Sequence, residues 1–147
     1  MRKAILLLIL APPLFATASD YKCADIGGAL EQSLFDAVVH DININGNDII
    51  RAKTTVQVLN VSPVSKIFAQ QLAKADSDAD KKRNGTPLLQ ESDYFESYAI
   101  NGAKSITVKY TLRNTKGQRS SFIASGLVNN DECSVRFNGY LTLSREF

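Results

Sequence analysis

The chain has 147 residues, and its 17 Lys and Arg exceed its 15 Asp and Glu for a formal net charge of +2. Arg2 and Lys3 account for this whole excess, so the rest of the chain carries equal numbers of both signs. Because non-specific nucleic-acid binding needs a surplus of positive charge against phosphate, we expect no nucleic-acid partner.

The first residues have the three parts of a secretory signal peptide. A basic start precedes the apolar run 4–11, and Ala-Thr-Ala at 16–18 has the small-x-small form that signal peptidase cuts. The apolar run is shorter than the roughly 20 residues that cross a bilayer. The sequence therefore predicts a signal peptide over 1–18, export to the periplasm or the extracellular space, and no membrane span.

Residues 19–147 have the size of one domain, and they contain both cysteines of the chain, Cys23 and Cys133. In an exported protein, a single pair of cysteines most simply forms a structural disulfide. A closed loop of about 100 residues stabilises a fold by roughly 4.7 kcal/mol in the chain-entropy model. A reactive or intermolecular thiol is the alternative.

The first half of this domain mixes strand and helix patterns. Residues 28–38 have apolar residues at helical spacing, whereas 38–45 and 53–61 alternate as strands do. A second short helix is predicted to begin at Ser62-Pro63, with the serine as N-cap. The charged stretch 75–85 is predicted to be an exposed loop.

The second half predicts strands at 104–113, at 120–128 and from Cys133 onward, with Cys133 on the buried face. Strands with one apolar face need a second layer to cover that face. The fold class expected is therefore all-β: an antiparallel β-sandwich of the fibronectin III or immunoglobulin kind, with one or two short helices.

Residues that usually carry catalysis or bind metals are sparse. His40 is the only histidine and is predicted to lie on the apolar face of a strand, so no histidine-based set is expected. Asp76, Asp78 and Asp80 match the start of a calcium loop, but Lys81 stands where the loop needs glycine. We therefore expect no metal, no cofactor and no enzymatic activity.

Acidic and aromatic residues alternate over 91–98. Three interpretations remain open: an ordinary strand edge, a protein-recognition surface, or a carboxylate pair that hydrolyses glycosides. The candidate partner-binding residues are Glu91, Asp93, Tyr94 and Glu96.

Three segments resemble one protein family. They are His-Asp-Ile-Asn-Ile at 40–44, Val-Gln-Val-Leu-Asn at 56–60, and Cys-Ser-Val-Arg-Phe at 133–137 followed by Gly139-Tyr140. With the signal peptide, the chain is similar to the small secreted interleukin receptor mimic (IrmA-like) family of enteric bacteria. The resemblance implies a fibronectin type III-like fold, a strand-exchanged homodimer and similarity to cytokine-receptor binding domains.

The leading functional hypothesis is a secreted, non-enzymatic binding protein of a bacterium. It would engage a host protein such as a cytokine or its receptor. The alternative is a structural subunit or assembly factor of surface fibres, which also use immunoglobulin-like sandwiches. A carboxylate-based hydrolase is the third hypothesis.

Overall fold

One antiparallel sheet of four strands, in the order β1-β2-β3-β4, is the centre of the fold. The structure is a computed structural model and describes residues 18–147; residues 1–17, nearly all of the predicted signal peptide, lie outside the described residues. The strands are β1 (Thr55–Pro63), β2 (Lys104–Arg113), β3 (Arg119–Val128) and β4 (Arg136–Ser144). The helices are α1 (Ala18–Ala24), α2 (Ala29–Asp41), α3 (Lys66–Asn84) and α4 (Glu91–Phe95), with a π-helical turn at Glu96–Ile100 and 3-10 turns at Gly46–Asp48 and Arg51–Lys53.

The predicted all-β sandwich is wrong. The described chain has one open sheet with helices packed on it, which makes a mixed α/β fold and not two facing sheets. Strand alternation showed correctly that one face of β2 and of β3 is buried. It could not show whether a helix or a second sheet covers that face, and here α2 covers it.

The face covered by α2 holds the main core. Leu30, Leu34 and Val38 follow one another at four-residue spacing on α2, and all three are buried. They form one cluster with the inward side chains of the sheet, which include Ile106, Val108, Tyr110, Leu112, Phe122 and Ala124. The Tyr110 hydroxyl donates to the carbonyl of Ala24 at 2.7 Å, so α1 is tied to the same core.

The predicted helix at 28–38 is confirmed and extends to Asp41, so the predicted strand at 38–45 is wrong. Val38 was part of both the predicted helix and the predicted strand. It is helical because it extends the buried stripe that Leu30 and Leu34 begin. Asn43 then takes a left-handed conformation, with φ 52°, just after the helix ends. His40 consequently lies near the end of α2 and is exposed.

The second predicted helix exists, but its start and length differ from the expectation. Ser62 and Pro63 end β1, and Ser65 is the N-cap of α3, accepting from the Phe68 backbone N–H at 3.2 Å. The predicted exposed loop at 75–85 is wrong, because it forms the second half of α3. Buried positions continue at helical spacing into this half, as far as Asp80.

The predicted disulfide is confirmed: Cys23 and Cys133 are bonded, with their Cα atoms 5.2 Å apart. Cys133 was predicted to lie on a strand. This is wrong, because β4 begins only at Arg136. The bond joins α1 to the connection between β3 and β4. Within residues 18–147, no helix combines the length and the apolar character needed to cross a bilayer.

Candidate functional site

The sheet face opposite α2 is covered at one end only. Ala69, Leu72 and Ala73 of α3 form a second buried cluster with Tyr98 and Leu127. Leu127 pairs with Ser105 near the end of the sheet, so this cluster covers that end. The rest of the face is left without a covering element among the described residues.

We call this uncovered region the open face. Its side chains alternate with the core residues of the same strands and share rows across the sheet. The open face consists of Thr55, Gln57, Asn60, Thr107, Lys109, Thr111, Arg113, Arg119, Ser121, Ile123, Ser125 and Leu141.

Two aliphatic side chains lie in the middle row of the open face. Gln57, Lys109, Ile123 and Leu141 are paired in sequence across the four strands. Neither Ile123 nor Leu141 belongs to a buried cluster, and Leu141 is 68% exposed. Uncovered aliphatic side chains that adjoin each other on a surface are a feature of protein-contact sites.

The charges on the open face are of one sign. Lys109, Arg113 and Arg119 belong to it, and none of its residues is Asp or Glu. Within residues 18–147, the side chains of these three cations make no hydrogen bond or ion pair. The near-neutral composition of the chain therefore hides a local positive surface.

The predicted partner-binding residues lie elsewhere. Glu91, Asp93 and Tyr94 are on α4 and Glu96 opens the π-helical turn, so the predicted strand edge at this place is wrong. The Asp93 carboxylate accepts from the Gln90 backbone N–H at 2.9 Å and caps the helix. Tyr94 turns toward α3 and stacks on Tyr98, with ring centroids 6.4 Å apart. The three carboxylates are exposed, and none of these four residues joins the open face.

A hollow of about 290 Å³ lies beside α4, lined by Gln70, Ala73, Glu91, Ser92 and Phe95. Glu91 is the one carboxylate in this lining. Glycoside hydrolysis by the usual mechanism needs two carboxyl groups facing each other across the bond. The hollow therefore does not present the carboxylate pair that the hydrolase hypothesis requires.

Each aspartate of the pattern that resembles the start of a calcium loop has another partner. Asp78 binds Lys74 at 2.9 Å, and Asp80 accepts from the Leu88 backbone N–H. Asp76 accepts from Arg136 Nε at 2.8 Å, from Arg136 Nη2 at 3.0 Å, and from the Tyr98 hydroxyl at 2.6 Å. In the described part of the chain, no group of His, Cys, Asp or Glu could hold a metal ion.

Asp76 connects α3 to β4 through this ion pair. Burial opposes ionisation of Asp76, but the hydrogen bonds from Arg136 and Tyr98 outweigh it and lower the pKa of the carboxyl. Burial and the neighbouring Asp76 together raise the pKa of Tyr98. The contacts of Asp76 with Arg136 and Tyr98 fix α3 to β4 at the end of the sheet that the second buried cluster covers. This end adjoins the open face.

Replacing Asp76 with Asn is expected to lower the free energy of unfolding at neutral pH by about 1.5–3 kcal/mol, the usual value for hydrogen bonds to a charged group. Because the folded-state pKa is below the unfolded value, the stabilisation is present above the unfolded pKa of about 3.9. It is lost as the pH falls through the folded value. Urea unfolding at a series of acidic pH values should therefore show a flatter pH dependence in the variant.

The matched control is Asp78→Asn, which removes an exposed pair with Lys74 on the same helix. Such pairs contribute little to stability, because water and salt screen the charges. Equal losses in the two variants would contradict a special role for Asp76.

A buried carboxylate, Glu31, was missed by the sequence interpretation. It accepts from Arg51 Nε at 3.1 Å, from Arg51 Nη2, and from the Gly27 backbone N–H at 3.0 Å. Arg51 also lies over the ring of Phe35, 4.7 Å from its centroid. The available signal was an acidic residue adjoining the apolar stripe of a predicted helix. The cluster fixes α2 to the turn before β1, on the face away from the open face.

His40 is not part of a site. Its Nδ1 lies 3.1 Å from a carboxylate oxygen of Asp41, and its side chain is 89% exposed. The prediction that it lies on a buried strand face is wrong.

Comparison with protein-family models, curated proteins and solved structures finds no match for this chain. The functional argument therefore rests on the chain's own residues.

Proposed function

We propose that the chain is a secreted bacterial protein that binds a host protein, such as a cytokine or its receptor, through the open face and without catalysis. The observation that supports it best is the uncovered middle row of the sheet, where Ile123 and Leu141 lie next to each other outside both buried clusters. The predicted signal peptide and the disulfide are consistent with export.

We propose the open face as the contact surface in place of α4. The partner-binding role of Glu91, Asp93, Tyr94 and Glu96 stays a sequence-based prediction that we do not adopt, because Asp93 is used in a helix cap and Tyr94 packs toward α3. The fibre-subunit alternative rested on an immunoglobulin-like sandwich. No observation in the structure favours it.

The strand-exchanged homodimer implied by the family resemblance stays a prediction of that resemblance. An exchange would involve β1 or β4, the edge strands. Both carry bulges, at 58–60 in β1 and opposite 121–122 and 125–126 in β4, and bulges hinder edge-to-edge pairing. Size-exclusion chromatography with light scattering decides between monomer and dimer, and binding through the open face requires neither.

The proposed function is tested by immobilising residues 19–147 on a biosensor and passing over it a panel of purified cytokines and receptor ectodomains. We expect at least one panel member to bind. Leu141→Asp should weaken this binding roughly tenfold or more, because it places a charge in the centre of the contact.

The matched control is Leu88→Asp, since Leu88 is 79% exposed, lies in the connection after α3 and does not belong to the open face. This variant should bind as the unmodified protein does. Absence of binding to every panel member, or equal loss in both variants, would contradict the proposal.

A further inference from the structure

We propose that the partner presents an acidic protein segment with aliphatic side chains to the open face. This inference rests on the proposed function and specifies the chemistry of the partner. The cations of the open face would bind its carboxylates, and Ile123 and Leu141 would contact its aliphatic groups.

The spacing of the cations sets the geometry of the contact. Lys109 and Arg113 are four residues apart on the same side of β2, a distance of about 13 Å between their Cα atoms. Thr111 lies between them and is half-exposed. Two carboxylates of an extended segment, four residues apart, would match this spacing.

Two positive side chains that face each other across β2 and β3 favour the binding of an anion between them. Arg113 and Arg119 are directly opposite each other on β2 and β3. Such a pair destabilises a sheet unless a negative charge lies between the two side chains. The one carboxylate recorded at Arg119 is that of Glu146, and it accepts from the Arg119 backbone N–H at 2.7 Å. A carboxylate from a partner would relieve the repulsion between the side chains.

The neighbours of Lys109 favour a protein over other polyanions. Ile123 is its direct cross-strand partner, and Leu141 follows in the same row. The open face has no aromatic residue on which a nucleic-acid base could stack. An acidic segment that also carries aliphatic side chains can contact both the cation and the two aliphatic residues of this row. Heparin can contact only the cations.

The exposed carboxylates of α4 and of the turn after it do not belong to the open face. Glu91, Asp93 and Glu96 are exposed on α4 and the turn after it. An acidic partner is therefore attracted to the open face and repelled by α4, which gives the interaction a preferred orientation.

Fluorescence anisotropy with a labelled peptide of four Glu-Glu-Leu-Glu repeats tests the inference. A peptide of four Lys-Lys-Leu-Lys repeats and labelled heparin serve as comparisons. We expect the acidic peptide to bind residues 19–147 at least tenfold more tightly than either of them. Its affinity should fall about tenfold or more when the salt concentration rises from about 50 mM to about 500 mM.

Charge reversal at Lys109 or Arg113 (Lys109→Glu, Arg113→Glu) should each reduce the affinity for the acidic peptide about tenfold or more. Lys82→Glu changes the net charge equally on exposed α3 and should leave the affinity unchanged. Equal affinities for the acidic and basic peptides, a preference for heparin, or equal effects of Lys109→Glu and Lys82→Glu would overturn the inference. Self-association of the chain that excludes the peptide would also overturn it.

The two proposals can fail separately. If a panel protein binds and Leu141→Asp weakens it, but Lys109→Glu and Arg113→Glu do not, the open face is the contact surface and the acidic partner is wrong. If the acidic peptide binds as expected but no panel protein binds, the proposed function fails and the preference of the open face for acidic segments stands.

Discussion

Replacing both Cys23 and Cys133 with alanine is expected to lower the free energy of unfolding by about 4–5 kcal/mol. The bond joins residues separated by 110 positions, and a loop of about 100 residues carries about 4.7 kcal/mol in the chain-entropy model. This is a large part of the 5–15 kcal/mol typical of a whole domain. Urea unfolding followed by circular dichroism measures the difference.

Reduction of the unmodified protein is the control, because it breaks the same bond without a substitution. The reduced protein should unfold close to the urea midpoint of the double variant. A loss below about 1 kcal/mol would contradict the role of the bond in stabilising the fold. Cys23 belongs to the core between α2 and the sheet, on the side opposite the open face. The folded fraction of the variant should therefore still bind through the open face.

Leu34→Ala is expected to cost about 3 kcal/mol of unfolding free energy, within the 2–5 kcal/mol seen for buried leucines. Leu34 is fully buried between α2 and the sheet, at 0% exposure. The loss of stability in this variant therefore measures how strongly α2 packs on the sheet, in the position that a second sheet occupies in a β-sandwich. Thermal and urea unfolding of the variant provide the value.

Leu88→Ala is the matched control, since it removes the same atoms from a side chain that is 79% exposed. Exposed substitutions of this kind usually stay within about 0.5 kcal/mol. Similar losses in the two leucine variants would contradict the packing of α2 on the sheet.

The β2–β3 hairpin could be predicted from the sequence because its signals are local. Residues 104–113 alternate without interruption, and the turn at 114–117 ends in Gly117, which has φ 81° in the structure. The disulfide could also be predicted, because two cysteines in a chain predicted to be exported leave one intramolecular pairing.

The layer that covers the sheet could not be predicted in this way. The alternation of Ile106, Val108 and Tyr110 requires a buried face, whatever covers it. Residues 38–45 match a strand locally, but their helical part is decided by Leu30 and Leu34 earlier in the chain. Residues 75–85 look like a loop by composition, but they continue the buried positions of α3, and their contacts are made with distant residues, as when Asp76 pairs with Arg136, 60 positions away.

The candidate site was partly visible in the same pattern. In the predicted strand 104–113, strict alternation puts Lys109, Thr111 and Arg113 on the polar side, and the structure has them there. Whether that side meets solvent or a second layer depends on tertiary packing. The acidic residues within 91–96 formed a candidate site in the sequence because they are close together along the chain. The open face could not be found in this way, because it joins residues from four strands.

The central claim is that partners bind the open face and not α4. Amide chemical shifts of ¹⁵N-labelled residues 19–147, followed during titration with the Glu-Glu-Leu-Glu peptide, test it most directly. The account predicts shifts concentrated at Lys109, Thr111 and Ile123, with those of α2 and α4 unchanged. Shifts concentrated at Glu91, Tyr94 and Glu96, with β2 and β3 unchanged, would contradict it.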